Sequence, residues 1–315
     1  MSAVANQTPS IKVGSHFFNA DAFAFSADLQ EPILKVIDKQ ALVNLPAAGG
    51  YRYLPAEAKR IDGIVSHEGG YAQVSGRTDP SGTAITAATA VIEGLNILDV
   101  LTVDRLVAQI TTEHAPNSSV PSVSFLGTRF ENLRIGGREI EIEPYHDILG
   151  SKPDNDESYL NDGGVLSRIA QQYSKIRGMV GLPKWASDEF KWDPAETQRQ
   201  QVKCSLVKSV AGAPGKSFGH VIEVPFFGTI YLGELTVKRV VKAMPGNSEA
   251  ANARLRLEMS EDDSSNSSSS NSNSTGYQLT VTMLAAKLNS STCGSVTAGQ
   301  ADPNGGGSGG TGGTK

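Results

Sequence analysis

The stretch Phe218-Gly-His-Val-Ile-Glu-Val-Pro-Phe-Phe-Gly-Thr-Ile-Tyr-Leu-Gly-Glu-Leu-Thr-Val237 decides the fold. It is dense in β-branched and aromatic residues, glycine and proline punctuate it, and nothing in it has helical period. Consecutive strands with tight corners are the reading that fits. Around it, strands are expected at Lys203–Val210, His220–Val224, Thr229–Leu232 and Leu235–Ala243. Further on, Ala253, Leu255, Leu257 and Met259 alternate with charged residues, as a half-exposed strand does. Its expected partner is Tyr277–Leu288, across a loop, 260–276, that Ser and Asn dominate and that is too polar to order itself.

Working toward the N-terminus, Ile11–Leu29 carries apolar groups on both alternating faces, which suits a strand covered on both sides. Ala72–Ser75, Thr83–Glu93, Leu101–Thr111, Val123–Phe130, Leu133–Ile135 and Arg138–Glu143 also read as strands. Gly136-Gly137 marks a two-residue hairpin. The period changes at Val165–Val180. There Leu166, Ile169, Ala170, Tyr173 and Ile176 form one helical face, Asp162 stands where a cap would, and Gly181 and Pro183 end the run.

The expected fold is therefore mainly β, a sandwich or a Greek-key-like barrel of about ten to fourteen strands with one helical insertion. The expected organisation is a flexible start at 1–9, a first β-rich half at 10–150, the insertion at 151–201, and a second half at 202–300. A disordered Gly-rich tail follows at 301–315.

The 315 residues suffice for a full core, with 39% hydrophobic and 19% charged residues. A net charge of -5 without a basic cluster argues against nucleic acid as a partner, because such binding displaces counterions with a cationic face. No run of roughly 18 apolar residues offers a membrane span. The first ten residues lack the basic and apolar regions of a secretory leader, so an intracellular, cytoplasmic setting is one expectation. Cys204 and Cys293 lie in or beside expected strands and fit either a disulfide or two reduced buried thiols.

Few residues suggest chemistry. Gly215-Lys-Ser217-Phe-Gly219 matches the nucleophile-elbow pattern, which needs a helix after the serine. Here strand follows, and the one downstream histidine, His220, is three residues on, so a glycine-rich turn is the better account. Asp154, Asp156 and Asp162 offer a loose Ca²⁺ site, although Tyr159 and Val165 stand where an EF-hand needs glycine and glutamate. A solvated loop capping the next helix explains the same acids. No other cofactor is expected. The histidines are scattered singly, and His16 and His220, each at a strand start, are the first pair to examine for a site assembled in space.

The block Gly94–Ile110 with Phe125–Gly137, Phe218–Pro225 with Gly228–Leu235, and Leu279–Met283 resemble a group of uncharacterised bacterial β-rich proteins. More loosely they resemble the secreted proteins called choice-of-anchor P. That resemblance implies a cell-surface or extracellular setting and carries no catalytic residues with it. The expected function is a non-enzymatic structural or binding protein, self-associating or surface-displayed. The alternatives are a hydrolase whose site converges only in three dimensions and a carbohydrate-binding β-sandwich. Exposed sheet edges or a flat apolar face would favour assembly, and an exposed Trp or Tyr array would favour carbohydrate.

Overall fold

In chain order the strands begin β1 (His16–Phe17), β2 (Ala20–Glu31), β3 (Lys35–Gln40), β4 (Val43–Asn44), β5 (Gly50–Ala56), β6 (Lys59–Ile61) and β7 (Val65–His67). They continue through β8 (Gly69–Thr78), β9 (Ala84–Ile97) and β10 (Leu101–His114). Five short strands follow, β11 (Ser122–Ser124), β12 (Arg129–Glu131), β13 (Arg134–Ile135), β14 (Arg138–Glu139) and β15 (Glu141–Pro144). Helices α1 (Gly163–Arg177) and α2 (Lys184–Glu189) precede β16 (Gln201–Ser205), β17 (Val207–Ala211), β18 (Lys216–Phe218) and β19 (Val221–Val224). The chain closes with β20 (Gly228–Lys242), β21 (Ser274–Leu288), β22 (Cys293–Pro303) and β23 (Gly306–Gly307). This computed structural model describes residues 16–242 and 274–307, except 32, 62, 117, 119, 155–157, 194, 197, 198, 289–292, 304 and 305.

Two antiparallel sheets hold most of these strands. The first, of ten strands, has β5, β8, β9 and β10 side by side as its body, with short strands flanking β9 and β10. The second, of nine, runs β18-β19-β20-β21-β22-β2-β3, with β16 also on β20 and β4 also on β2. Strands β2, β21 and β22 lie over β8, β9 and β10. The sheets face one another and do not close, so the structure selects the sandwich and corrects the barrel alternative. The first long strand and the last, β2 and β22, are hydrogen-bonded neighbours.

Small side chains set the spacing at the centre. Ala20, Ala22 and Ala24 on β2, Ala88 and Ala90 on β9, Ala108 on β10 and Ala298 on β22 are all fully buried. Gly299 is a close approach between the sheets: a Cβ there would stand 2.3 Å from Leu106 Cδ2, and its φ of +63° is one that L side chains rarely adopt. Phe25, Leu29, Ile92, Leu106 and Ile110 fill the core around this centre.

Local chemistry accounts for the connections. Gly136 and Gly137, at φ +57° and +74°, make the two-residue turn between Ile135 and its partner Arg138 that the sequence predicts. Asp162 caps α1 by accepting a 2.6 Å hydrogen bond from the Val165 amide. Val165, Ile169, Gln172, Tyr173 and Ile176 form the buried face of that helix; of the expected face, Leu166 and Ala170 are only partly buried.

Three expectations are corrected. The strand beside β21 along its length is β20, whereas Ala253–Met259 and nearly all of the Ser/Asn loop lie outside the described residues. Ala301, Asp302 and Pro303, read as the start of a tail, are buried and complete β22. A Cys204–Cys293 disulfide is excluded. Cys204 is a free buried thiol on β16, while Cys293 begins β22, with β20 and β21 between them. At about 4.8 Å per strand the two backbones are separated by well over the roughly 7 Å that a disulfide spans.

Candidate functional site

The serine and histidine of the elbow-like motif do not form a catalytic pair. Lys216–Phe218 is a strand, hairpin-paired to Val221–Val224, so the glycines on either side serve turns. Ser217 Oγ donates to the Gly219 carbonyl at 3.3 Å. The His220 ring is buried edge-on against Phe190, and its Nδ1 meets no hydrogen-bond partner among the described residues. His16 lies elsewhere, against Phe18 and His114, so the expected His16–His220 pair is not brought together. Of the three loop aspartates, Asp162 is the helix cap, Asp154 is exposed and Asp156 lies outside the described residues. Among the described residues no three metal-ligating side chains converge.

What the fold does assemble is an aromatic platform on the outer face of the ten-stranded sheet. Side chains alternate along a strand, so Ala72 and Val74 point into the core while Tyr71, Gln73 and Ser75 point away from it. Register then lays out cross-strand rows. Tyr53 faces Gln73, Gln73 faces Thr89 and Thr89 faces Gln109. In the next row Pro55, Tyr71, Val91 and Val107 follow one another in the same order. Tyr51 and Tyr53 are 57% and 49% exposed, and the Tyr53 and Tyr71 rings lie 5.5 Å apart with a 33° tilt. The Tyr51 hydroxyl donates to Gln73 Oε1 at 3.3 Å. Val91 and Val107 form a buried floor, and Glu93 pairs with Arg105 at 3.6 Å at its border.

Among the described residues β5 pairs with β8 alone, so the platform ends there on an open edge. In the other sheet, among the described residues, β3 pairs with β2 alone. Leu34 and Val36 there are 82% and 62% exposed.

The two tryptophans make no such array. Arg199 stacks on Trp192 at 4.0 Å, and Trp185 packs edge-on against Phe218. Beside them a second polar cluster forms where α2 meets β20. Tyr231 donates to Glu189 at 3.1 Å and accepts from Lys287 at 3.2 Å. Glu234 stands nearby, with its carboxyl raised by burial despite Lys203 and Lys287. Neither the tyrosine platform nor this cluster was singled out in the sequence. The alternation of Tyr51 and Tyr53 on a short run was the available signal for the first.

Among the described residues no helix is long and apolar enough to cross a membrane. No curated protein and no solved structure matches the chain. A family model does, over residues 16–238, which takes in the ten-stranded sheet with its tyrosine platform, both helices and most of β20. That match covers well over half of the sequence, and by it the chain belongs to the family described as a domain of unknown function, DUF8256.

Proposed function

We propose that this is a non-enzymatic binding protein whose ligand is a carbohydrate laid across the outer face of the ten-stranded sheet. The observation that carries this reading is the group of Tyr51 and Tyr53, both exposed, with the partly buried Tyr71 beside them on one antiparallel face. A pyranose ring has apolar C–H faces and a rim of hydroxyls. Tyrosine supplies a rigid apolar surface with a polar tip at low conformational cost. Gln73 and Gln109, both partly exposed, continue the same row on either side of the buried Thr89 and offer amide partners for the rim. An open edge at β5 lets a long chain run on without steric end. The resemblance to secreted β-rich bacterial proteins supports a setting at the cell surface or outside the cell.

Retention on insoluble polysaccharides, followed by titration calorimetry with soluble fragments of whichever is retained, tests the proposal. Tyr53→Ala should weaken binding by roughly three- to tenfold, the scale of one lost aromatic contact. Retention on no polysaccharide, or unchanged affinity in Tyr53→Ala and Tyr71→Ala together, would sink it. A second reading, self-association, is favoured by the exposed Val36 on β3 and Leu34 just before it. Light scattering on the wild type and on Val36→Lys decides that reading, which a concentration-independent monomer would eliminate.

A further inference from the structure

Asp21 and Asp302 stand directly opposite each other where the first long strand, β2, pairs with the last, β22. Two ionised carboxylates facing across an antiparallel pair repel, and burial makes that repulsion stronger. Asp302 is only 3% exposed, and Asp21 is half-buried. One Asp302 oxygen, Oδ2, accepts from Gln300 Nε2 at 3.1 Å. The other, Oδ1, is buried and finds no hydrogen-bond partner among the described residues. An ionised carboxylate would leave that oxygen charged, desolvated and unsatisfied, a strongly unfavourable arrangement. A proton on Oδ1 removes the anomaly, because Asp302 then donates a hydrogen bond to the Asp21 carboxylate beside it.

We propose that Asp21 and Asp302 share one proton at neutral pH and so clasp the first and last strands of the sandwich. The proton sits on Asp302, and Asp21 carries the charge. Lys39 on β3, which also packs over Phe23 at 4.6 Å, faces Asp21 and balances that charge. On the far side of β22, Thr280 of β21 hydrogen-bonds Asp302 and is neutral, as is Asn44, opposite Asp21 on β4. Glu234 and Lys238 on β20 are the next charged groups across β21, opposite Thr282 and Gln278. The acidities agree with the geometry. Burial, above all, lifts Asp302 to about 7, and the Asp21 charge adds to this against the lowering by Thr280 and Gln300. Asp21 is also raised, by burial first, against its hydrogen bond with Asp302 and the Lys39 charge.

The folded chain thus binds a proton that the unfolded chain has released between the ordinary aspartate range and neutrality. Stability from this pair is present at the acid end of that window and lost as pH rises through the folded value. Thermal unfolding of the full chain from about pH 5 to about pH 8.5 reads the effect. The wild type should lose roughly 5 °C or more over that range relative to Asp302→Asn, whose amide donates to Asp21 at every pH. An equal decline in wild type, Asp302→Asn and Asp21→Asn would overturn the proposal. Should the variants fail to fold, carboxyl-carbon NMR of the wild type replaces them. An Asp302 signal that titrates near neutrality supports the shared proton, and one that stays constant across the range refutes it. A melting temperature that CaCl₂ raises at pH 7 in the wild type but not in Asp302→Asn would also overturn it, since the pair would then hold a cation.

Discussion

The His220 imidazole is enclosed on all sides, and burial holds its pKa down to about 4. In the unfolded chain the ring is solvated and titrates near its ordinary 6.5. The folded form therefore binds fewer protons than the unfolded form between these values, and stability falls as the solution is acidified through them. From pH 7 to pH 5 the loss through this one ring is roughly 2 kcal/mol. His220→Phe keeps the contact with Phe190 and removes the titration, so urea unfolding should show a shallower acid slope than in wild type. An unchanged slope would place the acid sensitivity elsewhere, with His67 next to test. There burial and, second, Lys59 lower the pKa to about 4 while Nε2 lies 2.8 Å from Gln40 Oε1. The sequence marked His220 as a residue to examine because it precedes a strand. It could not mark Asp302, because a carboxyl in a Gly- and Ala-rich run looks solvated until the strand facing it is known.

Among the elements, α1 was the most legible at its start, where Asp162 caps it; its end falls at Arg177 with Gly178 as the C-cap, short of the Gly181 and Pro183 expected to stop it. Asp162→Ala removes the acceptor for the Val165 amide and should cost about 1 kcal/mol in denaturant unfolding. A neutral result would mean that solvent caps the helix as well as the carboxylate does. How α1 is anchored was not legible. Gln172 Oε1 accepts from the Ser205 amide at 2.9 Å, and its Nε2 donates to the Ser205 and Val207 carbonyls at 3.1 and 3.2 Å. Three backbone groups at the irregular passage from β16 to β17 are thus satisfied by one amide, and no periodicity announces such a role. The pairing of β21 was misread for a related reason. Alternation in Ala253–Met259 says which residues share a face, and says nothing of which strand lies alongside. The hairpin at Gly136-Gly137 was readable because its turn type demands those residues. The turn after β9 was not, since Leu98 and Asp99 take positive φ there with an Asn96–Asp99 hydrogen-bond pair in support.

At the scale of the molecule, the family match stops at residue 238, but the nine-stranded sheet does not. Strands β21 and β22 fill the gap between β20 and β2, and they cover β9 and β10 from the other sheet. A chain ended at residue 238 would keep β3 and β4 on β2 and β16 and β19 on β20, but would leave the opposite edge of each bare and would uncover the alanine-lined centre. It should lack a cooperative melt by circular dichroism, whereas a chain ended at residue 307 should melt as the full protein does. A sharp transition in the shorter chain would show that the ten-stranded sheet and helices stand alone. The adjacency of β2 and β22 also has a consequence in time. During synthesis β2 leaves the ribosome long before its partner, and at about 5–20 residues per second the wait is on the order of tens of seconds. Until then a strand lined with Ala, Phe and Leu has β3 and β4 on one edge and nothing to pair with on the β22 edge. The newborn chain is thus exposed to mispairing with its neighbours on the polysome, and a holding chaperone would find its work there rather than at the heat-denatured protein.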